Sequence, residues 1–277
     1  MAAELEMLAS GFGLIEGPRV DADDNLYFSD VPNGGVYRRR PAGEISVVVP
    51  KRRGVGGIAL HADGGLVVGG RNICHVLDDV SRVVFEPGPA FNDLMTDDQG
   101  RVLCGTLRID PFDPDAGPET GDAYRVELDG TATHLYGGVR LTNGIGFSPD
   151  GSRIYHADSL ANHLICHDVE GDRFVNRRAL GEHRTFNPDG LAVDEQGVIW
   201  VADFAAGCVL GLDPDTGEEQ ARIVVPANAV TSLCFGGRDR CDLYIVTADN
   251  TDDPDRGGTV FRTRAAVPGL AVPPARV

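Results

Sequence analysis

Six times along the chain a polar turn, most often rich in Asp and Gly, leads into a short β-prone run. The copies are Asp23-Asp24-Asn25-Leu26-Tyr27-Phe28, Asp63-Gly64-Gly65-Leu66-Val67-Val68, Asp98-Gln99-Gly100-Arg101-Val102-Leu103, Asp150-Gly151-Ser152-Arg153-Ile154-Tyr155, Glu195-Gln196-Gly197-Val198-Ile199-Trp200 and Arg240-Cys241-Asp242-Leu243-Tyr244-Ile245. The runs begin at Leu26, Leu66, Val102, Ile154, Ile199 and Leu243, at spacings of 40, 36, 52, 45 and 44 residues. That period is the length of one four-stranded propeller blade. The second half of each unit reads as a hairpin, for example Val36-Tyr37-Arg38 to Ser46-Val47-Val48-Val49, or Val209-Leu210-Gly211-Leu212 to Ile223-Val224-Val225. Helical periodicity is scarce. The pattern predicts an all-β chain: a six-bladed β-propeller with four-stranded blades, occupying residues 1–277 as a single domain.

Three segments fall outside the repeat. The longest interval contains 110–121, a turn-rich inter-strand insertion carrying Asp110, Asp113, Asp115 and Glu119. Its acidic side chains read as a solvated loop, with weak binding of a second ion as the alternative. A ring must close or leave two edges open to pairing, so residues 1–12 are expected to supply a closing strand to the last blade. The Pro-rich end, 271–277, reads as a short tail.

The innermost strand of each blade lines a central channel. Counting back ten residues from each run, or eleven in the fourth unit, reaches Glu16, Gly56, Asn92, Asn143, Asp189 and Leu233. A lone Glu-Gly, Asn-Gly or Asp-Gly pair needs no more than a tight turn. Polar residues at four of six equivalent positions would instead aim at one point. Two buried carboxylates there would drive one pKa sharply upward unless a positive charge sat between them. Oxygen donors alone suit a hard cation such as calcium, magnesium or manganese.

At these residues the chain resembles the family of senescence marker protein, gluconolactonase and luciferin-regenerating enzyme. The resemblance rests on Ile15-Glu16-Gly17-Pro18, Phe91-Asn92-Asp93, Thr142-Asn143-Gly144-Ile145, Pro188-Asp189-Gly190-Leu191-Ala192-Val193-Asp194, Ile199-Trp200-Val201-Ala202 and Thr231-Ser232-Leu233-Cys234-Phe235-Gly236-Gly237, which together cover nearly the whole chain. It implies a six-bladed propeller whose Glu16, Asn143 and Asp189 ligate one divalent cation, calcium first, with manganese, magnesium or zinc as alternatives. It implies that Asn92 is a further ligand or a substrate contact. Asp189 is then the candidate general base, with hydroxide generated on the cation as the competing source of the nucleophile. The activity implied is hydrolysis of a small lactone, sugar-acid or less polar. Two departures bear on substrate. Where many sugar lactonases of the family carry Arg two residues before the third-blade Asn, this chain has Ala90, and the frequent Gly-Pro-Val-Trp becomes Gly17-Pro18-Arg19-Val20. A phosphotriesterase-like or other esterase reaction on the same cation, a non-hydrolytic reaction and a purely binding propeller are the alternatives.

Composition narrows the partners. The net charge of −17 disfavours nucleic acid and anionic membrane surfaces, and the runs Arg38-Arg39-Arg40 and Lys51-Arg52-Arg53 are too short to reverse that. Nothing approaches the length of a membrane span, and the start lacks the pattern of a secretory signal. Six cysteines show no paired or zinc-like spacing. The expectation is a cytoplasmic protein with reduced thiols, a monomer or weak homo-oligomer, acting on a small molecule. No G-x-S-x-G or H-E-x-x-H is present. None of the seven histidines falls at a channel position. His183 reads as a loop residue near the mouth, facing solvent or touching substrate; His156 and His163 read as strand or turn residues, and Trp200 as core.

Overall fold

The computed structural model describes residues 4–277 apart from 87, 111, 112, 114, 116 and 182–185. His183 and part of the 110–121 insertion therefore lie outside the described residues. Among the described residues the regular structure is almost wholly β, arranged as six four-stranded antiparallel sheets, with two short 3₁₀ turns. In sequence order, the inner strands are Ile15–Val20, Ile58–Leu60, Ala90–Thr96, Thr142–Phe147, Pro188–Val193 and Val230–Gly236. Each touches the inner strand of the next blade, and the sixth touches the first, so the sheets form a ring around a channel. The protein is a six-bladed β-propeller.

The core is divided the same way. Six apolar clusters fill the wedges between neighbouring blades. Between blades four and five, for instance, Tyr155, Leu164 and Cys166 meet Leu191, Val201 and Leu210. Alternation along each strand supplies these faces, and burying them is the main driving force that holds one blade to the next. All six cysteines are free, five of them buried. No helix among the described residues is long and apolar enough to cross a membrane.

The ring closes through strand Glu6–Phe12, which is the outermost strand of blade six and pairs antiparallel with Gly258–Arg264. Glu6 lies opposite Arg262, and their side chains form an ion pair. At the other terminus, 271–277 runs across one end of the channel. Thr96 Oγ1 donates to Pro273 O, Ala275 exchanges backbone hydrogen bonds with Leu60 and Ala62, and the Arg276 N–H donates to Gly100 O. Ala275 and Val277 are buried among residues of blades two and three.

Candidate metal centre

The four polar residues singled out by the repeat lie at the end of the channel where the inner strands begin. Near the start of the inner strands of blades one, three, four and five, ladder pairs join Ile15 with Asp30, Phe91 with Thr106, Thr142 with Asp158 and Pro188 with Asp203, each the first of its ladder except in blade three, where Ala90 with Leu107 precedes. The residues that follow are Glu16, Asn92, Asn143 and Asp189, and the ladder slips at or just after each. A bulge at that point re-aims a side chain that strict alternation would bury in the blade. The four polar residues are thus structurally equivalent, and the Gly that follows three of them stands within a strand rather than a tight turn.

The remaining two positions explain themselves. A Cβ on Gly56 would lie 2.0 Å from Asn92 Oδ1, so blade two contributes only the space into which Asn92 fits. In blade six the equivalent of Asp189 is Thr231, not Leu233, because the hairpin of the first two strands runs one residue pair further, to Gly236 with Asp242, than in blade five, where it ends at Val193 with Ile199. Thr231 Oγ1 donates to Ile15 O at 2.5 Å, tying blade six to blade one, while Leu233 packs in the wedge between blades five and six.

Glu16, Asn143 and Asp189 are buried, and Asn92 is half-buried. Asn92 Nδ2 donates to Asn143 Oδ1 at 2.6 Å and to Thr142 O at 2.8 Å. Asn143 Nδ2 donates to Ser159 Oγ at 2.6 Å, and Ser159 Oγ donates to Pro188 O at 2.5 Å. Ser159 therefore fixes which way the Asn143 amide faces. Glu16 Oε2 accepts the Gly17 N–H at 3.1 Å, whereas Asp189 Oδ1 is buried with no hydrogen-bond partner. Burial, then the charges of Asp189 and Asp93, raise the Glu16 pKa well above the ordinary carboxylate range. Burial, then Asp93, does the same to Asp189. Carboxylates so placed hold protons or a cation. An orphaned carboxylate oxygen beside a second carboxylate and amide oxygens fits a hard divalent ion. No three His, Cys, Asp or Glu side chains gather around one point among the described residues, so such a centre would depend on its amide oxygens.

Three supporting features escape the sequence count. Asp93 is buried beside Asn92, 3.9 Å from the Arg19 guanidinium. Ser159 opens the short 3₁₀ turn Ser159–Ala161. An aspartate at or just beyond the end of the second strand grips the loop entering the inner strand in four blades. Asp30 accepts the Gly13 N–H, Asp158 those of Arg140 and Leu141, Asp203 that of Asn187, and Asp249 those of Asn228 and Ala229. The recurring Ser29-Asp30, Ala157-Asp158, Ala202-Asp203 and Ala248-Asp249 dipeptides are the signal that would have found them.

A cavity of about 1430 Å³ opens at the opposite end of the channel, lined by Val20, Leu60, Thr96, Phe147, Val193 and the Leu270–Pro274 segment among others. None of Glu16, Asn92, Asn143 and Asp189 lines it, whereas Arg19 does. The cavity and the four candidate residues therefore lie at opposite ends of the channel.

A family model described as the SMP-30/Gluconolactonase/LRE-like region matches residues 14–249. The chain is 33% identical over 276 residues to pentonolactonase XacC of Haloferax volcanii, covering 92% of this chain and 91% of that one. It is 34% identical over 269 residues to a 6-deoxy-6-sulfogluconolactonase of Pseudomonas putida, covering 90% and 89%. Among solved structures, a regucalcin of Agrobacterium tumefaciens described as a calcium-binding protein superposes with a TM-score of 0.86 at 23% identity, covering 100% and 99%.

Proposed function

The chain belongs to the SMP-30/gluconolactonase/LRE-like family, and on that premise we propose that it is a divalent-cation-dependent lactonase that opens a small sugar-acid or less polar lactone with water. The observation that carries this reading is the unpartnered, fully buried Oδ1 of Asp189. Glu16, Asn143 and Asp189 would hold the ion, calcium first; the regucalcin that the fold matches is described as calcium-binding, which supports that choice. A cation there supplies Lewis-acid polarisation of the lactone carbonyl and acidifies water.

The chain's own groups do the rest. Asp189 takes the proton of the attacking water at its carboxylate and returns it to the leaving ring oxygen. Asn92, half-buried and fixed through its amide nitrogen, has its amide oxygen against Gly56 and would serve there as a further ligand or a substrate contact. Ser159 and Asp158 keep Asn143 and its entry loop from moving as the substrate binds. Ala90 leaves the rim without the guanidinium that many sugar lactonases of the family place there, and this widens the range of acceptable lactones toward the less polar.

The test is acid release from a panel of five- and six-membered lactones by metal-stripped protein, before and after calcium, manganese, magnesium or zinc is restored. Turnover that needs the metal and falls at least a hundredfold in Asp189→Ala supports the proposal. Tight metal binding without turnover on any lactone would overturn it.

A further inference from the structure

We infer that Arg19 is a built-in counter-ion that sets the net charge of the centre at a value matched to a divalent rather than a trivalent cation. This rests on the metal reading above and goes beyond it, since Arg19 is not among the proposed ligands.

Arg19 is three residues beyond Glu16 on the same inner strand. Its side chain is 11% exposed, an unusual degree of burial for a guanidinium. Its Nη1 donates to Pro18 O at 2.7 Å and its Nη2 to Leu94 O at 2.9 Å, a bond that reaches from blade one to blade three. Nη2 also stands 3.9 Å from Asp93 Oδ1, while Nε is buried with no partner. The guanidinium is therefore held in place and lacks its full set of acceptors. Burying a charge on those terms is costly, so its position calls for a reason beyond packing.

The reason lies in the charge count. Glu16, Asp93 and Asp189 are buried carboxylates within one another's field, and Arg19 acts on Glu16 and Asp93 with the opposite sign. Asp93 contributes charge without joining a three-carboxylate ligand group, because no such group forms among the described residues. With all three carboxylates ionised, one guanidinium leaves a formal charge of minus two. A divalent ion neutralises that; a trivalent ion leaves an excess in a desolvated channel. Without Arg19 the count becomes minus three and the preference moves toward the trivalent ion.

Metal-stripped protein is titrated with Ca²⁺ by calorimetry and with Tb³⁺ by sensitised luminescence, and the ratio of the two affinities is compared across variants. Arg19→Met is expected to shift the ratio toward Tb³⁺ on the order of tenfold. Arg19→Lys, which keeps the charge and loses the fork, stays near wild type, and Arg19→Met/Asp93→Asn returns the ratio toward wild type. If Arg19→Met does not fold, Asp93→Asn alone carries the test, with the ratio expected to move toward Ca²⁺. An unchanged ratio in a folded variant overturns the inference and leaves the metal reading standing. Absence of binding of either ion to wild-type protein overturns both.

Discussion

Ser159→Ala offers a sharp test of how the centre is built. The hydroxyl is buried, accepts from Asn143 Nδ2 at 2.6 Å and donates to Pro188 O at 2.5 Å. Deleting it orphans one buried donor and one buried acceptor, each worth roughly 1–3 kcal/mol. Part of that loss falls on global stability, because the bond to Pro188 joins blade four to blade five. The rest falls on the centre, since the Asn143 amide is then free to turn its NH₂ toward the cation. Losing a group that orients a ligand typically weakens metal affinity about 10–100-fold, which corresponds to about 1.4–2.7 kcal/mol and lies within the range for one orphaned group. Calorimetric titration of Ca²⁺ into metal-stripped Ser159→Ala and Asn143→Ala, with the double variant alongside, reads this directly. If Ser159 acts through Asn143, the double variant binds no more weakly than Asn143→Ala alone. Additive losses, or an affinity for Ser159→Ala within about twofold of wild type, would refute the positioning role.

Two further expectations follow from other parts of the fold. Burial lowers the pKa of His156 to about 3 and of His167 to about 4, where they pack with Tyr136, whose hydroxyl shares a hydrogen bond with His156 Nδ1 at 2.8 Å. The unfolded chain takes up two protons that the folded protein refuses, so stability should fall as pH drops from about 6.5 toward 4, by up to about 2.7 kcal/mol per pH unit; urea midpoints for wild type and His156→Asn/His167→Asn should show the slope flattened in the variant. Gly56→Ala should drive Asn92 from its place, because the new Cβ would meet Oδ1 at 2.0 Å; turnover should fall at least tenfold while the melting temperature drops only a few degrees, and unchanged kinetics would remove Asn92 from the site.

The blades were legible because each begins with a turn that polar residues must build and an apolar run that must be buried, and both recur at a readable period. The same frame carries Glu16, Asn92, Asn143 and Asp189 to one end of the channel, with their roles there still resting on the proposal. It failed at Leu233, where an extra ladder pair in the first hairpin of blade six displaces the count and Thr231 holds the equivalent place. What stayed hidden was contact between blades. Ser159 follows the second strand of blade four, and nothing near it in sequence announces that it holds Asn143 or Pro188. Asp93 and Arg19 stood in plain view inside the quoted motifs, yet their proximity depends on blades one and three meeting across the channel. The docking of 271–277 was also invisible, because a Pro-rich end reads as a tail until the blades it crosses are assembled.

Ring closure has a consequence for the birth of the molecule. Strand Glu6–Phe12 is synthesised long before its partner, Gly258–Arg264. The Glu6 and Arg262 side chains that meet in the finished ring are separated by 256 residues, which takes on the order of 10–50 s to synthesise at roughly 5–20 residues per second. For that interval the leading strand has no partner of its own and presents an open edge to every neighbouring nascent chain. The carboxylates of Glu4 and Glu6 flank it there, and a charged edge discourages the wrong strand from adding on. The pair that seals the completed propeller thus begins as a guard on an unfinished one.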